Sequence, residues 1–235
     1  MDKYLKLKLI IENSKSIVLF TGAGISVPSG IPDFRSDNGL YSEKINGYIS
    51  PEEIISHSYF LAFPDRFFEF YGNKMVYKHA LPNEAHKYFS KLDNVTVVTQ
   101  NIDNLHQMAG SKLVYELHGS VKRNYCMKCN KYYDLDEINP TIINRCECGG
   151  IIKPDVVLYE EPLDDKVVFK AIDSISQCDT LIVVGTSLTV YPAASYLRYF
   201  KGKNLILINK SRTNYDHIAD LVFNEDVVSV IEKIK

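Results

Sequence analysis

Four apolar runs punctuate the chain: Ser16-Ile17-Val18-Leu19-Phe20, Val95-Thr96-Val97-Val98-Thr99, Thr180-Leu181-Ile182-Val183-Val184-Gly185 and Leu205-Ile206-Leu207-Ile208. They are nearly continuous in aliphatic and β-branched residues, the pattern of strands buried on both faces of a parallel sheet. Each is flanked by helix-compatible sequence, which predicts an α/β fold, a Rossmann-like parallel sheet with helices on both faces. Residues 1–13 mix lysines with leucines and isoleucines and lack a continuous apolar region, so they read as an amphipathic first helix rather than a signal peptide. The segment 36–92 is rich in aromatics. Ser50 and Pro51 suit a helix cap and first turn there, and Phe60, Phe63, Phe67, Phe68 and Phe70 follow at mixed helical spacing. These aromatics read as the core of a helical insertion, part of which could instead lid a bound ligand. Pro82-Asn83-Glu84-Ala85-His86 opens another helix, on which His86 is a surface or structural residue rather than a ligand.

Composition narrows the class. With 235 residues and 46% hydrophobic content, the chain supports one main domain carrying a small module. A formal charge of −2, from 27 basic and 29 acidic residues, offers no footprint for nucleic acid or an anionic membrane, and direct nucleic-acid binding is not expected. No run approaches membrane-spanning length, so a soluble, cytoplasmic protein is expected.

The cysteines change the picture most. Cys126-x-x-Cys129 and Cys146-x-Cys148, separated by sixteen residues, have the spacing of two metal-binding knuckles. Four thiolates close a tetrahedral shell, which predicts one structural zinc rather than a catalytic metal. Asn130 and Gly149-Gly150 permit the tight turns that knuckles need. The remaining cysteine, Cys178, adjoins the strand at 180 and reads as core. The expected organisation is a single catalytic domain over 1–235. Its large Rossmann-like part covers about 1–35, 93–120 and 155–235, and its small part covers the helical insertion at 36–92 and a zinc ribbon at 121–154.

The first strand runs into Gly22-Ala23-Gly24-Ile25-Ser26, a turn that lets backbone amides approach a pyrophosphate. Val27 stands where a dinucleotide fingerprint has its third glycine, and Asp33 and Arg35 come too early for the ribose-binding acid. The turn therefore points to a dinucleotide but not to hydride transfer. Thr99-Gln100-Asn101-Ile102-Asp103 follows the second strand, and His118-Gly119 follows the alternating Leu113–Leu117 stretch. Amide, carboxylate and imidazole groups at strand ends around a phosphate loop describe an active site.

These motifs resemble the sirtuins, NAD-dependent protein-lysine deacylases. Gly-Ala-Gly-Ile-Ser, Gly30-Ile31-Pro32-Asp33-Phe34-Arg35, Thr-Gln-Asn-Ile-Asp, His-Gly, the four cysteines and Gly185-Thr186-Ser187-Leu188 occur in family order, over nearly the whole chain. The resemblance to compact bacterial members implies that NAD is a co-substrate. The acyl-lysine oxygen attacks the ribose as nicotinamide leaves, and the products are nicotinamide, lysine and O-acyl-ADP-ribose. It also implies that Ala23, Arg35 and Gln100 hold pyrophosphate and ribose and that Thr186, Ser187, Asn209 and Asp226 hold the adenosine half. Gly22, Gly24, Ser26, Val27, Gly185 and Val227 complete the cofactor contacts. Ile102 and Asp103 receive the nicotinamide carboxamide, Phe34 shields the reacting carbon, and Asn101 positions ribose and water. His118, with an ordinary pKa of about 6.5, is the general base toward a ribose hydroxyl.

The resemblance further implies that an acyl-lysine peptide pairs as a strand between Val156–Tyr159 and Ser187–Tyr191. Phe34, His118, Val157, Tyr159, Glu160, Leu188 and Val190 form its site. Where the family commonly has Phe-Gly-Glu, this chain has Tyr159-Glu160-Glu161, and Glu160 is expected to favour basic residues flanking the modified lysine. Members that prefer succinyl or malonyl groups carry Tyr-x-x-Arg. This sequence has none, so neutral acyl groups are expected, acetyl first. Two rival readings remain. One is protein mono-ADP-ribosyl transfer. The other is a binding module built on the zinc ribbon, where Lys122, Arg123, Lys128 and Lys131 are diluted by Glu116, Asp134, Asp136 and Glu137.

Overall fold

The computed structural model describes residues 2–34, 39, 49–189 and 191–235. The readings that rest on Arg35 and Val190 lie outside them. The first half of the chain runs α1 (Lys3–Asn13), β1 (Ile17–Thr21), α2 (Pro51–Ile54), α3 (His57–Ala62), α4 (Pro64–Lys74), α5 (Glu84–Ser90), β2 (Val95–Thr99) and α6 (Leu105–Met108). It continues as β3 (Val114–Glu116), β4 (Gly119–Cys126), β5 (Tyr132–Asp134), β6 (Ile152–Val156), α7 (Asp165–Gln177), β7 (Thr180–Val184), β8 (Asn204–Ile208), β9 (Leu221–Phe223) and α8 (Val227–Glu232).

Six strands form a parallel sheet in the order β3-β2-β1-β7-β8-β9. All five positions of β1 and of β7 are buried, because successive side chains serve opposite faces and both faces are covered. Ile17, Leu19, Ile182 and Val184 pack with Leu7 and Ile11 of α1, Ala85 and Phe89 of α5, and Val230 and Ile231 of α8. Val18, Phe20, Leu181 and Val183 pack on the other side with Ala171 and Ile175 of α7 and with Ala194 and Leu197 of a 3₁₀ segment. Each of the Val, Leu, Ile and Phe side chains contributes about 1.5–3 kcal/mol on burial. The predicted strands are all present within a residue. Cys178 is core, as expected. The short edge strand β9 carried no comparable apolar run.

A second sheet, β5-β4-β6, is antiparallel. One face meets the aromatic helices: Phe60, Phe67, Phe68 and Tyr71 pack against Val121, Leu135, Ile152 and Val156, with edge-on contacts between Phe60, Phe67 and Phe68. Phe70 joins a neighbouring cluster with Ile54, Ile55 and Tyr59. Phe63 departs from the expected core. It sits at the break where Pro64 starts α4 and is 50% exposed. Helix α5 packs on the large sheet through Ala85 and Phe89. His86 on that helix is fully buried, which leaves the structural role and removes the surface one. Among the described residues, no helix is long and apolar enough to cross a membrane.

Candidate active site

Strand register builds the site. Thr21 lies level with Thr99 and Val184, and Val184 with Ile208, so the residues that follow these strands emerge along one edge. β1 is the switch strand, since the chain goes to β2 on one side and to β7 on the other, and ligands bind in the crevice this opens. The turn after β1 presses against the turn after β7: Gly22 N–H donates to Val184 O at 3.0 Å and Gly24 N–H to Gly185 O at 2.8 Å. A Cβ on Gly24 would lie 2.6 Å from Gly185 Cα. These two amides are therefore committed within the protein, and the glycines secure the close approach of the two turns rather than presenting both N–H groups to a phosphate. The turn continues as two 3₁₀ turns rather than an α-helix, the second opened by Val27-Pro28 and ended by left-handed Gly30. Asn83 Nδ2 pins it by donating to Ile25 O and Ser29 Oγ.

A cleft of about 770 Å³ opens over this edge, between the large sheet and the small module, within the range of small-molecule sites. His118, half-buried in its wall, follows β3, and its Nδ1 lies 2.9 Å from the Gln100 carbonyl. A carbonyl only accepts, so Nδ1 carries the proton and Nε2 is left with its lone pair. Burial lowers the His118 pKa, partly offset by that hydrogen bond, so the ring is neutral at pH 7. Gly119 follows at φ 75, and a Cβ there would run into Asp155 O of β6. This close approach seats the small sheet directly behind the imidazole.

Asn101 is buried, and its Nδ2 donates to Gly22 O and Ser26 Oγ, each at 3.1 Å. Ser26 Oγ donates to Asp103 Oδ2 at 2.6 Å, and Leu105 N–H to Oδ1 at 2.9 Å. Burial raises the Asp103 pKa, against the opposing pull of these donors. Asp103 faces a recess of about 40 Å³ beside the cleft, lined also by Ala23, Ser26, Phe34, Asn101 and Ile102.

The four cysteines come together as their spacing predicted. Sγ atoms lie 3.4 Å apart for Cys126 and Cys148, 3.6 Å for Cys129 and Cys146 and 3.4 Å for Cys148 and Cys129, all four within 4.8 Å of one another. Zinc bonded to four thiolates at about 2.3 Å requires S···S separations of about 3.8 Å, so the donor set fits. Asn130 at φ 58 and Gly149 at φ 82 make the knuckle turns. None of the four cysteines lines the cleft, which suits a structural ion.

The model of the Sir2 family matches residues 22–192, the span that holds the glycine turn, the strand-end polar groups and the cysteines. The chain belongs to the Sir2 family. A Sir2 relative, the NAD-dependent protein deacetylase of Clostridium perfringens, is 56% identical over 240 residues, covering 99% of this chain and 98% of that protein. A Sir2 structure with a deacetylated p53 peptide and 3′-O-acetyl ADP ribose superposes with a TM-score of 0.90 at 34% identity, covering 99% of this chain and 97% of that one. A Sir2–p53 peptide–NAD+ structure gives 0.84 at 36% identity, covering 100% and 97%.

Most residues that the Sir2 resemblance nominated do line the cleft: Gly22, Ala23, Gly24, Phe34, Gln100, Asn101, Ile102, His118, Val157, Tyr159, Glu160, Gly185, Thr186, Ser187 and Asn209. Ser26 and Asp103 line the recess. Four do not reach either. Leu188 is turned into the core under the sheet at φ 56, and Val227 is core beneath β9. Asp226 caps α8 through Val228 N–H and pairs with Lys210 at 3.2 Å. Val27 lies in the second 3₁₀ turn. Ile55, Met75 and Arg212, unsuspected from sequence, also line the cleft. Arg212 follows β8, so the rule of strand ends could have found it, whereas Ile55 and Met75 look like any apolar residue of the insertion.

The Tyr159–Glu161 edge of this Sir2 cleft is tied to the helices. Tyr159 N–H donates to Ile55 O at 3.1 Å, and Tyr159 O accepts from His57 N–H at 3.0 Å, so its backbone is already paired. Glu160 stands at φ 76, and its carboxylate accepts from Ser58 N–H and Ser58 Oγ, each at 2.9 Å. Glu161 bonds His57 Nδ1 at 2.8 Å and Lys153 Nζ at 3.2 Å.

Proposed function

We propose that this Sir2-family chain removes acyl groups from protein lysines with NAD as co-substrate, releasing nicotinamide, lysine and O-acyl-ADP-ribose. The observation that carries the reading is His118, fixed by Gln100 O with Nε2 unprotonated, in a cleft that also holds Asn101 and opens to the Asp103 recess. Ala23 and Gln100 take the phosphates and ribose, and Thr186, Ser187 and Asn209 take the adenosine half. The Asp103 carboxylate, with Ile102 and Phe34, receives the carboxamide in the recess. Phe34 keeps water from the reacting carbon. His118 Nε2 accepts a ribose hydroxyl proton, and a base that is neutral at pH 7 is matched to that task. Asn101 holds the glycine turn and the ribose in step. The zinc holds the small module in shape and takes no part in the chemistry.

An acyl-lysine peptide lies along Val157 and Glu160, with Tyr159 contributing its side chain because its backbone is committed. Neutral acyl groups fit best: Ile55, Met75, Ile102 and Leu158 give the cleft an apolar end, and the Tyr71 hydroxyl is sealed in the core, out of reach of an acyl carboxylate. A cytoplasmic location belongs to the same reading, since a reducing compartment keeps the zinc thiolates available. The test is mass spectrometry of acetyl- and succinyl-lysine peptides incubated with the protein, with and without NAD. O-acetyl-ADP-ribose and deacetylated peptide, both NAD-dependent and in excess over the succinyl reaction, are expected. Labelled ADP-ribose on protein with no deacetylated peptide would favour transferase chemistry instead.

A further inference from the structure

Behind the cleft runs a buried polar line that the site residues do not explain. Thr21 and Thr99, the last residues of β1 and β2, face each other in the register and are both buried. Thr21 Oγ1 donates to Thr99 Oγ1 at 2.8 Å, and Thr99 Oγ1 also accepts from the Asn101 backbone N–H at 3.0 Å, so both of its lone pairs are filled. His106, on α6, lies with Nε2 3.0 Å from Thr21 Oγ1. The Thr21 hydroxyl has one proton and commits it to Thr99, so the imidazole is the donor and its proton sits on Nε2. The His106 Nδ1 and both nitrogens of His86, whose ring stands edge-on at 4.9 Å, have no hydrogen-bond partner. Burial lowers the pKa of both rings, and like-charge repulsion from His86 lowers that of His106 further. The one polar contact that distinguishes His106 from a leucine of similar bulk is thus its bond to Thr21.

We propose that His106 is a positioning residue of the active site, starting a directed line from His106 to Thr21 to Thr99 that fixes the backbone at Asn101. Hydroxyl protons rotate freely, and a fixed imidazole donor at one end gives the line a single polarity. With that donor in place, Thr99 accepts and the Asn101 N–H is held. The turn held in this way carries the Gln100 carbonyl that sets the His118 tautomer and the Asn101 amide that braces Gly22. His106 touches neither substrate nor reacting atoms, and the proposal rests on the reading of His118 as the base.

Nitrogen-15 NMR of the histidine rings in the intact zinc-loaded protein tests the line directly. His106, identified by the signals lost in His106→Gln, is expected as the Nε2–H tautomer with no titration between about pH 5.5 and 8. An Nδ1–H tautomer or titration in that range overturns the proposal, whether or not any variant folds. Kinetics test the consequence. The paired replacement Thr21→Val with His106→Leu removes both ends of the His106–Thr21 contact, so neither of these two is stranded, and leaves Thr99 accepting only from the Asn101 N–H. It is expected to lower kcat about tenfold and to shift the acid limb of its pH profile, with peptide KM changed less than about twofold. His106→Gln, which can still donate to Thr21, is expected to keep most of the rate. A lower Tm with unchanged kcat and pH limb would mean a merely structural role and sink the idea, as would His106→Gln as slow as the pair. Full turnover in His118→Ala would overturn the base reading separately, because the NMR result judges the line without reference to His118.

Discussion

The parallel sheet and the zinc-bearing module meet across one cleft but are stabilised differently. In the sheet, β1 and β7 are buried on both faces, and helices cover each side with aliphatic contacts. In the module, a three-stranded sheet buries one face against aromatic helices while Tyr125, Met127 and Tyr132 remain exposed. A small sheet with one covered face is barely stable alone, so the cysteine cluster must supply what the core does not. The two parts contribute different things to the cleft. The sheet edge offers rigid strand ends, and the module with its helices borders the cleft through a loop pinned at Tyr159, Glu160 and Glu161.

Zinc removal should break the comparison most sharply. Structural zinc supplies on the order of 10 kcal/mol, so Cys126→Ala or a strong chelator is expected to abolish activity and to unfold or aggregate the protein. Hydrogen exchange early in chelation should show amides of β4–β6 opening before those of β1 and β7. Simultaneous loss in both sheets would mean that the two parts are not separable in stability. His118→Ala probes the seam between them. It should keep the fold, by Tm and circular dichroism, while kcat falls by about 10²–10⁴-fold.

The large part carries a weakness of its own in acid. Burial depresses the His86 pKa from its ordinary value to about 4. Between those values the unfolded chain binds the proton that the folded chain refuses. The contribution of this buried neutral ring is therefore intact above about pH 6.5 and is lost as pH falls toward 4, at up to about 1.4 kcal/mol per pH unit. Urea unfolding at a series of pH values should show this slope, and His86→Leu should flatten it. A slope unchanged in that variant would place the acid lability elsewhere. The smallest effect is expected at Glu160. Its left-handed backbone is unfavourable by about 1–2 kcal/mol for a side chain, and its two bonds to Ser58 offset this, so Glu160→Gly should shift stability by less than about 1 kcal/mol. Because the carboxylate is held by Ser58, the ranking of a panel of basic and acidic acetyl-peptides should change by less than about threefold. A larger change would restore Glu160 as a charge selector.

Features that depend on short-range chemistry are legible in the sequence. The continuous aliphatic runs could only be strands covered on both faces, and the cysteine spacing could only close around a metal or go unused. The polar residues after Thr99 and Leu117 had to emerge at a sheet edge, because strands end there. Helix starts at Ser50 and Asn83 were readable because a cap is a local bond. Leu188, Val227 and Asp226 were not, since motif position does not reveal which way a side chain turns, and two of them face the core while the third caps a helix. The His106 line was invisible for the same reason: Thr21 lies 78 residues from Thr99 and meets it, with His106 close by on α6, only because β1 and β2 align in register.

The strands, the zinc quartet and the family follow from the chain's residues alone, because periodicity, ligand spacing and motif order are local properties that survive without a fold. Folding in three dimensions is what commits the Gly22 and Gly24 amides to the end of β7 and its turn, ties Tyr159 and Glu160 to the helices, and brings Ile55, Met75 and Arg212 to the cleft. Those facts depend on which donors and acceptors meet across long sequence separations. Hydrogen bonding saturates, so a group committed to one partner is withdrawn from another.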